Sequence, residues 1–418
     1  MNQENEIEVL GFWWVLGHSE EKFSGILRYS PIHGATLEIS INQHSKFLEN
    51  WQKKYDIIWG MAENKIYTLY NCHQIEYSSS ILQYIKFSSK ILFSNSKWYL
   101  ESSQDIKFEE LNVQINNTYN FFRGFNSFDI DFEYKENLFI DKVIIQNTSK
   151  QIDFNIDDFL KGNISIGNNY HLGESFEVKS IIWFNIESKD KALISYRTFE
   201  EYMNILRICF SIIVQGICVY NEITVGRPDF DSKMRLYVKN TFGEVSKNVM
   251  LFDYEEVRIK FPQILENWFR LFKEIPEVIN LFYNIYTATQ FYEYHYRDTY
   301  VALEGLYRWK LKRNTSGNIV PGLLNIINLR KDVLPTFSKI VENYKIWGEI
   351  ARKNRVYQTH LNQEIFTTDL VDNVGLLKLM RKIQAIILFH ILEELGLSDD
   401  EIESSFRKLE SYFLPFFF

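Results

Sequence analysis

Arg355 and His360 stand with four residues between them in the stretch Ala351-Arg352-Lys353-Asn354-Arg355-Val356-Tyr357-Gln358-Thr359-His360. A guanidinium that is always charged and an imidazole that titrates near neutrality are enough to cut a phosphodiester without a metal. Arg can grip the scissile phosphate in a two-pronged fork and hold the charge that builds on it. His can move a proton to or from a ribose hydroxyl or the leaving oxygen. The blander reading is a solvated Arg beside a packed His, and spacing alone does not separate the two.

Other residues could serve the same chemistry. Arg352 lies two turns before His360 and either adds a phosphate contact or is a solvated cation. Asn354 and Tyr357 are candidate supports for the reacting pair or the bound substrate. Glu304, on an earlier predicted helix, can pair with a cation of this stretch or form an ordinary surface salt bridge. His390 sits in the apolar run Leu388-Phe389-His390-Ile391-Leu392 and reads as a core histidine. His295, between Tyr294 and Tyr296, suits core packing or stacking on a base. His18, His33, His44 and His73 lack metal-ligand spacing, and no phosphate-binding glycine loop is present around Gly375 or elsewhere. The sequence therefore calls for no metal and no cofactor.

Composition narrows the class. The chain has 418 residues, 46% hydrophobic and 24% charged, as a soluble two- or three-domain protein should. Cys72, Cys209 and Cys218 form no pair pattern, which fits a reducing cytoplasm. The acidic start, Met1 to Glu6, is no signal peptide. The apolar run 205–219 is broken by Arg207, Gln215 and Gly216 and is too short for a bilayer. A net charge of −8 argues against a generally sticky nucleic-acid binder. From Pro262 onward, however, 19 Lys and Arg balance 19 Asp and Glu. Basic clusters lie there at 308–313 and 352–355, read either as local RNA contacts or as solvated helix faces.

The elements that would position these residues fall into two sets. Residues 7–15, 23–29, 35–41, 65–70, 90–93, 141–145, 164–166 and 176–184 read as short strands punctuated by Gly, Asn, Asp and Ser. The run Ala35 to Ile41 alternates apolar and polar with period two. Trp13 and Trp14 are expected in the core of this β-rich part. Residues 196–215 switch to helical spacing, and 217–225, 234–238 and 248–252 return to strand. From Pro262 the pattern is helical, with helices over 289–313, 338–360 and 369–395. Gly317 to Pro321 reads as a loop. Gly396 is a stop signal, and Ser398-Asp399-Asp400-Glu401 is a capping box opening another helix. The terminal Phe416-Phe417-Phe418 must pack or form a sticky tail. The expected fold is α+β: an antiparallel, sandwich-like β-rich domain over 1–261, then an all-α bundle over 262–418.

This order of features resembles the ApeA-like HEPN anti-phage proteins. The resemblance rests on Arg-x4-His late in a helix of a C-terminal bundle and on Tyr300-Val301-Ala302-Leu303-Glu304-Gly305-Leu306. It rests also on the closing helix 375–395 followed by Ser398-Asp399-Asp400-Glu401-Ile402. In the first domain, Gly11-Phe12-Trp13-Trp14, Gly25-Ile26-Leu27 and Ala35-Thr36-Leu37-Glu38-Ile39 carry it. Together these cover most of the chain.

The resemblance implies a metal-independent endoribonuclease of abortive infection. In that chemistry a 2′-hydroxyl attacks the adjacent phosphate, leaving 2′,3′-cyclic phosphate and 5′-hydroxyl ends. Arg355 would bind the phosphate and stabilise the pentavalent transition state, and His360 would be the general acid or base. RNA is the implied substrate, with tRNA anticodon loops the first to try, and a phage-derived trigger is the implied signal for the β-rich domain. Such sites are usually composite, built across a homodimer or larger homo-oligomer of the HEPN domain. That suits the geometry: five residues along a helix turn through about 500°, leaving Arg355 and His360 ~140° apart on one cylinder. One departure stands out. The family often carries a polar residue directly after the Arg, where this chain has Val356, and Asn354 precedes the Arg instead. The competing reading is a non-catalytic binding or scaffold protein with a degenerate bundle.

Overall fold

The computed structural model describes residues 6–15, 18–41, 53–78, 83–97, 100, 106–122, 128–135, 139–147, 151–172, 176–240, 249–287, 292–312, 319–327, 332–360 and 370–414. Side chains are described for all of these except 128–147, 168–172, 176–180, 285–287, 326–327 and 359–360. The Phe416–Phe418 tail and His44 lie outside the described residues.

Six antiparallel strands come first: β1 Ile7–Val15, β2 Phe23–Ser30, β3 Gly34–Ser40, β4 Lys54–Ala62, β5 Lys65–Ser78 and β6 Tyr84–Asn95. They pair in the order β1-β2-β3-β6-β5-β4, and β4 returns to β1, so they close into a barrel. The expected alternation appears as burial of every second residue in β2 and β3. Trp13 is fully buried inside the barrel and donates its indole N–H to the Gly25 carbonyl at 2.9 Å. A Cβ at Gly60 would stand 2.0 Å from the Trp13 ring, so glycine is what lets β4 pass the indole. Trp14 is also buried, as expected, with the Lys22 ammonium 5.0 Å from its ring centre.

The next elements are β7 Lys107–Phe108, β8 Glu110–Ile115, α1 Thr118–Phe121, β9 Phe128–Lys135, β10 Phe139–Asn147, β11 Gln151–Asn155, β12 Leu160–Leu172, β13 Phe176–Ser188, β14 Ile194–Ser195, α2 Tyr196–Ile213, β15 Tyr220–Gly226 and β16 Met234–Val238. Six of these strands extend the sheet away from the barrel in the order β6-β16-β15-β8-β13-β12-β11. The join is made within β6. Residues 84–89 pair with β3 and residues 91–94 pair with β16, while the other edge pairs with β5 along its length. Residues 249–252, expected as strand, form no strand.

The helical part comprises α3 Tyr254–Val257, α4 Phe261–Glu274, α5 Pro276–Thr287, α6 Tyr292–Leu311, α7 Ile319–Ile327, α8 Pro335–Ile340, α9 Tyr344–His360, α10 Asn373–Glu394, α11 Asp399–Lys408 and α12 Glu410–Phe413. Pro262 lies in the first turn of α4, and Pro276 opens α5, where a missing N–H costs nothing. Pro321, expected in a loop, lies inside the first turn of α7. The single helix expected over 338–360 is two helices. Asn343 between them takes a left-handed φ of 57°, which asparagine tolerates better than most residues. The expected stop of α10 and start of α11 are met, but α10 begins at Asn373 rather than 369, with 370–372 outside the helix. Asp372 caps α10, Gly396 follows α10 at φ 89°, and Ser398 and Glu401 complete a reciprocal capping box.

One apolar core runs through the open sheet, α2 and the helices. α2 is its middle layer, with Trp268 of α4 donating to the Ile205 carbonyl at 2.9 Å. Phe154 of β11 stacks on Phe269 of α4 with ring centres 6.0 Å apart. Asp157 ties three elements at once. One carboxylate oxygen accepts the backbone N–H groups of Phe159 and Leu160. The other accepts Tyr202 of α2 and Lys273 of α4. Burial opposes its charge, yet these hydrogen bonds outweigh burial and hold the carboxyl at about 2.

Candidate active site

α9 presents Trp347, Ala351 and Asn354 to the core, a stripe at helical spacing. Its carbonyl at Ala351 accepts the buried Tyr296 hydroxyl of α6 at 2.6 Å, which fixes the two helices against each other. With that stripe inward, Arg352 and Arg355 fall at the margin of the α6–α9 contact, both partly exposed.

Arg355 reaches across to α6. Its Nη2 donates to Glu304 Oε2 at 3.2 Å, and its Nε stands 3.2 Å from Glu304 Oε1. The side chains are 23% and 16% exposed, so the pair is shielded more than a surface bridge but still reachable. Glu304 thus pairs with a cation of the 351–360 stretch. Arg308, one turn along α6, brings its guanidinium to 3.9 Å from the same carboxylate and is 60% exposed. The two basic clusters noted in the sequence therefore meet at Glu304.

Arg352 is held differently. It forks Glu349 within α9, with Nε to Oε2 at 3.0 Å and Nη2 to Oε1 at 2.6 Å. Tyr300, one turn before Glu304, is buried, and its phenol feels Glu304, Arg352, Arg355 and Glu349 together. Burial first, and then the Glu304 charge, push that phenol up, so it stays protonated. Neither Tyr300 nor Glu349 is among the sequence candidates. The i, i+3 spacing from Glu349 to Arg352, and the i, i+4 spacing from Tyr300 to Glu304, are the signals that could have found them.

Asn354 is 1% exposed. Its amide donates to the Ile350 carbonyl at 2.9 Å, and its side-chain oxygen accepts the Val371 N–H at 3.1 Å. The side chain thus clasps the chain just ahead of α10 onto α9 and does not present its polar end to a substrate. Tyr357 and Val356 are partly exposed near the end of α9. His360 is the last residue of α9, and its side chain lies outside the described residues.

The remaining histidines do other things. His390 is fully buried in α10 with Nδ1 3.2 Å from Glu393 Oε2, while Nε2 has no partner among the described residues. Burial keeps its imidazole neutral. The His390 hydrogen bond, with Lys310 behind it, holds Glu393 at about 2. His390 is thus a core histidine with one nitrogen satisfied. His295 is partly exposed beside the exposed Tyr292 and Tyr294, so core packing does not describe it. All three cysteines are free and buried. Among the described residues, no group of three or more His, Cys, Asp or Glu could hold a metal ion. Among them, too, no helix is long and apolar enough to cross a membrane.

Residues 8–268 match ApeA N-terminal domain 1, and residues 263–401 match Apea-like HEPN. The chain belongs to the ApeA-like HEPN family. The Apea-like HEPN match spans α6 and α9, and so takes in Glu304, Arg355 and His360. Membership implies a HEPN ribonuclease of anti-phage defence, and its α+β order is the one the strands and helices display. No curated protein and no solved structure matches this chain.

Proposed function

We propose that this ApeA-like protein is a metal-independent endoribonuclease of abortive infection, acting in the cytoplasm with Arg355 and His360 as its reacting pair. The observation that carries this reading is the Arg355 guanidinium, held by Glu304 beside exposed Arg308 within the Apea-like HEPN segment. In the reaction a ribose 2′-oxygen attacks the adjacent phosphorus as its proton departs, and the 5′-oxygen leaves and is protonated. His360 carries one of these protons, and Arg355 holds the charge on the pentavalent phosphorus. Glu304 aims Arg355, Arg308 draws in the RNA backbone, and Asn354 keeps α9 in place from behind. Tyr357 lies on the approach to the end of α9. Residues 262–418 form the nuclease domain and residues 1–261 a sensing domain that restrains it until a phage-derived trigger arrives. A homodimer through the helical domain assembles each site, and tRNA is the substrate to try first.

The test is to express wild type and His360→Ala, then follow growth, RNA integrity and end chemistry with and without chelator. Wild type yields 5′-hydroxyl and cyclic phosphate ends, unaffected by chelator, and His360→Ala yields none. Equal cleavage by both, or cleavage abolished by chelator, would overturn the reading, and no cleavage by wild type would leave the scaffold interpretation.

A further inference from the structure

Arg207 is a buried cation of the β-rich part. It lies on α2, 8% exposed, and among the described residues no carboxylate pairs with it. Its Nη1 donates to the Tyr283 hydroxyl of α5 and its Nη2 to Asn204 Oδ1, each at 2.6 Å. The guanidinium also sits 5.7 Å and 5.2 Å from the ring centres of Tyr220 and Tyr283. Rings and neutral acceptors ease a buried cation without neutralising it, which leaves it hungry for an anion.

That guanidinium lines a cleft of about 440 Å³ between one face of α2 and the strands β15 and β16. The volume falls in the range of small-molecule sites, roughly 300–1,000 Å³. Arg197 and Lys239 add two cations to its walls. Of the two carboxylates there among the described residues, Glu200 is already bound to Lys90 at 3.0 Å, leaving Glu201 as a counter-charge. Tyr196, also on the wall, has a buried hydroxyl with no partner among the described residues.

We propose that this cleft binds a small molecule bearing a phosphate or carboxylate group, with Arg207 receiving the oxyanion and Lys239 drawing it in. A guanidinium fork suits both groups, and the Tyr196 and Tyr220 rings on the wall suit a flat, mononucleotide-sized body. Occupancy reaches the helices directly. Arg207 bonds the Tyr283 hydroxyl of α5, and α5 packs on α6, which carries Glu304, so an anion that draws on the guanidinium draws on this chain. Binding itself is independent of any reaction at Arg355.

The full chain is titrated calorimetrically with inorganic phosphate, AMP and citrate, and its melting is followed with each. At least one probe binds and raises the melting midpoint, as a ligand of the native state must. AMP against citrate tells which oxyanion is preferred. Arg207→Gln weakens that binding by at least about tenfold, as loss of a charge-assisted bond should. Arg207 is buried, so its variant is read only if it melts as wild type does. Lys239→Glu, on an exposed residue, carries the test otherwise and weakens binding about fivefold with melting unchanged. No binding by any probe, binding that a folded Arg207→Gln leaves unchanged, or, where that variant does not fold, binding that Lys239→Glu leaves unchanged, overturns the assignment.

Discussion

If Arg355 holds the scissile phosphate as proposed, replacing it with alanine removes a preformed charge where charge develops, and cleavage should fall by about 10²- to 10³-fold in a single-turnover assay. Glu304→Gln leaves Arg355 in place but loosens its aim. The expected loss is about tenfold, the worth of one charge-assisted hydrogen bond, with the melting temperature little changed. A rate equal to wild type in Glu304→Gln would remove Glu304 from the site. Asn354→Ala works through the fold instead. It strands the Val371 N–H and should destabilise the protein by about 1–3 kcal/mol in denaturant titration. The sequence carries the Glu304 contact in outline, because an acid on a neighbouring helix is a natural partner for an arginine. It does not carry the burial of Asn354. Spacing gives a residue's angle on its own helix, not what the next segment lays over it. Arg352 is the opposite case, since its fork to Glu349 follows from i, i+3 spacing within the helix already expected over 338–360.

At the scale of single elements, local rules work where the determinant is local. The capping box at Ser398 and Glu401, the glycine after α10 and the alternation of β3 are each written within a few residues. The break between α8 and α9 is hidden, because Asn343 makes no demand until packing on both sides asks for a left-handed residue. Barrel closure is hidden too, since β6 meets β3 and β4 meets β1 only through pairings far apart in the chain. Two predictions belong here. Gly60→Val drives a side chain into Trp13 and should cost about 1–3 kcal/mol or more, read as a lower denaturant midpoint. Asp157 titrates at about 2 folded against an ordinary 3.8. Its contribution is therefore complete above about pH 4 and lost as pH falls toward 2. Asp157→Asn should lower the melting midpoint at pH 7 and flatten its fall over that acid window.

For the whole molecule, the composite-site reading makes a sharp demand. If Arg355 and His360 of one site come from different subunits, Arg355→Ala and His360→Ala proteins should be nearly inactive apart. Co-expressed and exchanged, they should recover about a quarter of wild-type cleavage, since half the dimers hold one intact site of two. No recovery, in dimers shown to exchange, would place both residues of a site on one chain. The single core through sheet, α2 and helices also means that the two halves of the family pattern touch over an apolar surface.

The forked edge of β6 has a further consequence. A strand that serves two neighbours on one side cannot be lent to either alone. Trimming the chain before Tyr84 would strip β3 and β5 from it, and stopping at Asn95 would leave residues 91–94 without β16. The barrel is thus no detachable bead: cut free, it bares a ragged seam where new chains could zip on, and excised versions should clump rather than float singly.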